Sequence, residues 1–473
     1  MLSYIKIALS FFILCTLSLQ SQIEISAVFG DNMVLQQKEH VSIWGKDSPG
    51  TKIEILSSWD AKAKAVANSD GFWKTAIKTK KASFNPEELQ IKGSTSITLR
   101  NILIGEVWFC SGQSNMEMPL QGLRQSKVLH AEDYLQKSDN KYIRLYNNAR
   151  SASVTPSFNV NGKWSVSDKD GAKKFSAIGY IFGTKLFEKL NVPIGIIESA
   201  WGGTKIESWI PKEVLLKYKD ITFSNILPKV QNKQKKPSFL YNAMIYPFQD
   251  FKVKGILWYQ GESNRNEPEP YYGYMRDLIV SWRKQWQDKN LPFYVVQIAP
   301  YNYTKHRNSS GKKANIIREA QQKIAKDIKN VNIVVTTDAG DCNDIHPSKK
   351  EIISKRLLRI ALAEEYSLKN LVYQSAEFKR MAIKDKYVTL EFKFQKDDLF
   401  EGNKDAKGFE VAASDKEFYP AKVLYSKDKK GIILYSDKVE NPVAVRYGFK
   451  DCFESNLKTK SGLPISVFRT DNW

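Results

Sequence analysis

Histidine and cysteine are scarce in this chain, with four of each among 473 residues. After the N-terminal segment no apolar run approaches the roughly 20 residues that a membrane-spanning helix needs. There is no internal repeat and no low-complexity tract. Each scarcity excludes something. Imidazole chemistry has four candidates: His40, His130, His306 and His346. No His-x-x-x-His or paired-cysteine spacing is present, which argues against a metal site. Cys15 falls in the N-terminal segment, and the remaining Cys110, Cys342 and Cys452 are too few and too odd in number for a disulfide framework. The net charge of +21 would suit an anionic partner, but the lysines are thinly spread. The densest run, NKQKKP at 232–237, reads as a solvated loop, and no RNA-binding aromatic signature accompanies it. Nucleic acid is therefore not an expected partner.

What is present is the composition of a globular chain, 42% hydrophobic and 26% charged. Residues 1–21 have a lysine near the front, a short apolar run and then small and polar residues, which is the pattern of a secretory signal peptide. The expectation is a secreted or periplasmic protein with no stable membrane insertion after signal removal. Residues 22–104 alternate apolar and polar residues across Gly/Pro/Asp turns, as in VSIWG–KDSPG–TKIEIL, and predict an antiparallel β-sandwich-like domain. Residues 105–366 alternate short apolar strands with helical patterns. That alternation predicts a parallel sheet covered on both faces. Residues 367–473 return to β patterning and predict a second accessory unit.

Ligands of open α/β sheets bind beyond the carboxyl ends of the strands. Four polar loops leave predicted strands at that edge: SGQSNMEMP, SAWGGTKIESW, YQGESN and DAGDCNDIHP. They hold a serine, glycines, an amide and an acid–histidine cluster, the parts that acyl transfer uses. Ser114 is the candidate nucleophile. His346 is the candidate base, because it alone of the four histidines directly follows an α/β strand and has acids beside it; the other three read as structural or surface residues. Asp344 is the candidate to orient the imidazole and Asp341 the alternative, with a Ser–His dyad also open. Oxyanion donors are sought at the Ser114 N–H, at Gly202 or Gly203 and at the Gln260 amide, with Glu262 in support. A glycosidase pair built on Glu262 would leave GQSNM without a role. Cys110 and Cys342 precede Ser114 and His346 by equal spacings, so they become neighbours if those loops meet. Separate buried thiols are the expected state.

GEVWFCSGQSNMEMPL, FSAIGYIFGTKL, PIGIIESAWGGTKIESW, LYNAMIYPF, GILWYQGESN, DIHPSKK and PVAVRYGF together resemble the sialate O-acetylesterase family of SGNH hydrolases. The resemblance implies a flavodoxin-like three-layer α/β/α domain with accessory antiparallel β domains at both ends. It implies removal of O-acetyl groups from sialic acid or a related sugar, without metal or cofactor, through Ser114 and His346. The glycine of WGGT (Gly203) and Gln260 would complete the oxyanion hole. Relatives in the wider superfamily place the helper acid three residues before the histidine; here Asn343 stands there, which leaves Asp344 as first choice, Asp341 in reserve and a Ser–His dyad assisted by Glu262 or a backbone carbonyl open. Alternatives are an esterase for acetylated xylan or another glycan, and a catalytically idle glycan-binding protein.

Overall fold

A computed structural model describes residues 22–223, 233–305, 313–368, 370–402 and 406–473. The predicted signal peptide and His306 lie outside the described residues. Among the described residues no helix is long and apolar enough to cross a membrane.

The centre is a sheet built on one strand, β1 (Ser96–Gly112). Its burial is mixed up to Asn101 and complete from Ile102 onward, and its partners change accordingly. The first part pairs antiparallel with Ser83–Lys92, and Leu103–Gly105 pairs parallel with Val34–Gln36. The last part is flanked by β4 (Ile194–Ala200) and β5 (Gly255–Tyr259). The boundary expected at Gly105 thus falls inside a continuous strand, which carries the chain from the N-terminal β region into the parallel sheet. With β2 (Asn140–Asn148), β3 (Gly162–Ser167), β6 (Phe293–Val296) and β7 (Val331–Val334), the order is β3-β2-β4-β1-β5-β6-β7. All pairs are parallel except β3 with β2 at the edge.

Alternate side chains of β1 enter different cores, as the twofold period of a strand requires. Trp108 and Cys110 join α1 (Ala177–Leu190) and α4 (Lys350–Glu364). Val107 and Phe109 join α2 (Tyr271–Gln285) and α3 (Ala314–Asp327), and on that side the core is continuous with the N-terminal β strands. The helical patterns expected within residues 105–366 include these four helices, two against each face of the sheet.

Beyond α4 the chain forms two four-stranded antiparallel sheets around a separate apolar core. This C-terminal unit is tied back to the α/β part. Arg318, wholly buried on α3, donates to the carbonyls of Lys450 and Asp451, each at 2.7 Å. Cys342 and Cys452 form a disulfide with a Cα–Cα separation of 5.7 Å. That corrects the reading of unpaired thiols. Cys452 is brought from the C-terminal unit onto the His346 loop, a long-range contact that no local spacing encodes. Cys110 points into the opposite core as a free, buried thiol packed on Gly179.

Candidate active site

Three loops leave adjacent strands β4, β1 and β5 at their carboxyl ends, where the connections diverge to both sides of β1. The Ser114 loop is fixed first by backbone. Gly112 has φ +134°, and a Cβ there would lie 2.1 Å from the Tyr259 carbonyl oxygen, so glycine alone fits. The Gln113 N–H donates to Tyr259 O at 2.9 Å, and the Trp201 N–H to Gly112 O at 3.0 Å. Ser114 then opens the short helix Ser114–Glu117. Gly202 lies against it, since a Cβ added there would be 3.1 Å from Ser114 Cβ.

A cavity of about 460 Å³ sits over this junction. Its wall includes Ser114, Gly203, Glu262 and His346, and also Glu117, Arg150 and Arg265. The structure thus gathers Ser114 and His346 in one cavity although His346 comes from the loop after β7, at the far edge of the sheet. Asp344 accepts the His346 N–H at 2.8 Å, and the same Oδ1 stands 4.0 Å from His346 Nδ1. Its carboxylate therefore holds the loop by a hydrogen bond and meets the imidazole through Coulomb attraction. Asp341 accepts the Asn343 N–H at 2.8 Å and lines a different cavity, beside the disulfide. Burial lowers the His346 pKa below its ordinary value, the Lys350 charge lowers it further, and Asp344 opposes both.

Gln260 is not part of the cavity wall. It is fully buried, and its Nε2 lies within hydrogen-bond distance of Thr204 O, Asn264 Oδ1 and Gln113 Oε1 at 3.0, 2.8 and 3.2 Å. Its Oε1 accepts from Tyr271. This amide braces the loops behind the site, leaving no donor aimed at a reacting oxygen. The Gly202 N–H is likewise engaged, by Glu117 Oε2 at 2.8 Å, while Gly203 at φ +71° lines the cavity. His40 is exposed on a strand, and exposed His130 pairs with Asp133 at 3.5 Å.

Residues that sequence reasoning passed over also lie at this cavity. Arg150 pairs with Glu117, and Arg265 donates to the Glu262 carbonyl at 2.9 Å while lying over the Tyr303 ring. Beneath the cavity Asn115 Nδ2 donates to Glu262 Oε1 at 2.6 Å and to Ile345 O at 3.0 Å, and Lys350 Nζ donates to Asn115 Oδ1 at 2.5 Å. Burial pulls the Lys350 pKa down to about 7 against the opposing pull of Glu262 and Asp344, and burial raises that of Glu262. The second Glu262 oxygen is buried with no hydrogen-bond partner among the described residues. Among those residues no group of three or more His, Cys, Asp or Glu side chains is placed to hold a metal ion.

Residues 104–366 match the family model described as SASA, a carbohydrate esterase, sialic acid-specific acetylesterase. The chain belongs to that family. It is 27% identical to the mouse sialate O-acetylesterase, with 93% of each chain covered, and 27% identical to the human one, with 74% of this chain and 72% of that protein covered. A crystal structure of a carbohydrate acetylesterase from Xanthomonas citri is similar over 96% of this chain and 100% of its own, at 31% identity and a TM-score of 0.86. The chain is accordingly an esterase of the carbohydrate class, and O-acetyl removal from sialic acid is the activity its family supports.

Proposed function

We propose that Ser114 carries this activity out by acyl transfer on sialic acid, with His346 as general base. The observation that carries the reading is that Ser114, after the central strand β1, and His346, after the edge strand β7, are remote in sequence yet line one cavity. His346 takes the Ser114 proton as Oγ attacks the acetyl carbonyl. The sugar alcohol leaves with that proton, and water then hydrolyses the acetyl-enzyme with His346 acting as base again. The Ser114 and Gly203 N–H groups receive the developing oxyanion. Asp344 stabilises the transient imidazolium across 4.0 Å. A lowered His346 pKa keeps the imidazole neutral, the form that accepts a proton, at neutral pH. The volume suits a monosaccharide, and the Arg150 and Arg265 guanidinium groups in the wall suit an anionic sugar.

We read the sheet with helices on both faces as the three-layer SGNH arrangement and the terminal β regions as its accessory domains. Export through residues 1–21 is consistent with the Cys342–Cys452 bridge, which suits an oxidising compartment. The test is hydrolysis of O-acetylated sialic acid, with acetylated xylan as the rival substrate. The expected result is turnover of the sialic acid ester by the unaltered chain and a loss of about 10⁴-fold or more in kcat for Ser114→Ala. Equal activity of both proteins would overturn the nucleophile, and a preference for xylan would overturn the sugar.

A further inference from the structure

Lys350 has no role in the acyl-transfer chemistry, yet it is a fully buried lysine at the start of α4. A buried ammonium is costly unless it is hydrogen-bonded and its charge is opposed. Both conditions are met through one amide. Asn115 places Oδ1 toward Lys350 Nζ and Nδ2 toward Glu262 Oε1, so the amide lies between a cation and an anion with its dipole aligned to both. The Ile345 carbonyl, which can only accept, assigns the Nδ2 side of the amide and so leaves Oδ1 facing Lys350. The second Nδ2 hydrogen goes to Ile345 O, on the residue preceding His346. Asn115 itself follows Ser114 directly. One side chain therefore ties the nucleophile loop, the YQGESN loop and the histidine loop together, and Lys350 sets its direction from beneath.

We infer that Lys350 is a positioning residue for the esterase reaction: its ammonium clamps Asn115, and Asn115 holds the Ser114 turn in register with the His346 loop. The clamp rests on the reading of Ser114 and His346 as nucleophile and base. It also acts electrostatically. The charged and titratable groups around Lys350 and His346 are Glu262 and Tyr259 on the β5 side, Asp344 on the histidine loop, and Glu117, Arg150 and Arg265 in the cavity wall shared with His346, with Arg318 of α3 acting on Glu262. His346 titrates below its ordinary value, where a lysine with a pKa of about 7 is charged, so the ammonium opposes protonation of the base.

The experiment compares Lys350→Met with the unaltered chain on O-acetylated sialic acid across pH, with Ser114→Ala as reference. Lys350→Met is expected to lower kcat by up to about 100-fold, the scale of a small misplacement of reacting groups. KM should change little, and the acid limb of kcat/KM should move to higher pH. Unchanged kcat and an unmoved limb would overturn the clamp. So would a fall in kcat with the limb unmoved, since lost packing alone gives that result. If Lys350→Met shows no cooperative unfolding transition, Lys350→Gln decides: it retains a donor for Asn115 without the charge, and a raised limb supports the clamp while an unmoved one overturns it. Activity surviving in Ser114→Ala would overturn the underlying reading and the clamp with it, an outcome distinct from the others.

Discussion

The two halves of the candidate site are held in different ways. The Ser114 side is local and made largely of backbone: Gly112 packs on the Tyr259 carbonyl, and Gln113 and the Trp201 N–H bond across adjacent strands. Gln113 Oε1 also accepts from Gln260, Gly261 and Ser263. The His346 side is remote and made of side chains. Its loop returns from β7 and is held by the Cys342–Cys452 bridge and by Lys350 through Asn115. Asp338 adds a bidentate pair with Arg356 at 2.7 and 2.8 Å and a contact to Lys458 at 2.9 Å. Backbone packing inside a sheet has little freedom to adjust, whereas side-chain ties can be cut one at a time. The nucleophile should therefore tolerate no change at its base, and the histidine should lose function in steps.

The largest break belongs to the Ser114 side. Gly112→Ala must accommodate a Cβ 2.1 Å from a carbonyl oxygen at a backbone angle that disfavours it. Overpacking a close-packed interior costs about 1–3 kcal/mol and sometimes more. With the backbone strain added, the variant is expected to sit at or above the top of that range in denaturant unfolding and to lose nearly all esterase activity. A stable, active Gly112→Ala protein would show that the Ser114 side is not rigid.

The next break is on the His346 side. Removing both cysteines with Cys342→Ser and Cys452→Ser opens a link between positions 110 residues apart in sequence. Loss of such a bridge costs roughly 2–4 kcal/mol. The expected protein unfolds at lower denaturant but retains partial activity, because Lys350, Asn115 and Asp344 still hold the loop. A thiol reductant should lower the activity of the unaltered chain toward that of the double variant and leave the double variant unchanged. Sensitivity of the double variant to reductant would break the comparison.

The same division explains what the sequence revealed. The meeting of the loops that carry Ser114, Gly203, Glu262 and His346 was legible because strand–loop alternation fixes which loops reach the carboxyl edge of a parallel sheet. The helices and most C-terminal strands were legible from their periodicity. The continuity of β1 through Gly105 was not, because the strand passes from an antiparallel to a parallel environment without a break. Gln260 was read as an oxyanion donor from its position after a strand. Its three buried amide contacts depend on loops distant in sequence. The Cys342–Cys452 pair and Lys350 were missed for the same reason. A lysine in KKEIISKRLL reads as solvated, and only the packing of α4 against α1 and the sheet buries it.

The smallest expected effect concerns Asp344, and it separates charge from architecture on the His346 side. Asp344→Asn keeps an oxygen that can accept the His346 N–H at its present 2.8 Å, so the loop should keep its shape. What is lost is the negative charge 4.0 Å from Nδ1. A buried, hydrogen-bonded helper acid is worth about 10⁴ in kcat, but this carboxylate is partly exposed and makes no hydrogen bond to the ring. Partly solvated ion pairs contribute at most about 1 kcal/mol, so a loss of about threefold to fivefold is expected. The sign of the pH effect follows from the same charge. Asp344 favours the imidazolium and holds the His346 pKa up against burial and Lys350, so its removal should move the acid limb of kcat/KM to lower pH. That is the opposite direction from Lys350→Met, and the two variants measured side by side read the two charges that act on one histidine. A loss near 10⁴-fold would instead show that the carboxylate closes onto Nδ1 when substrate binds, and the His346 side would then be completed only in the complex.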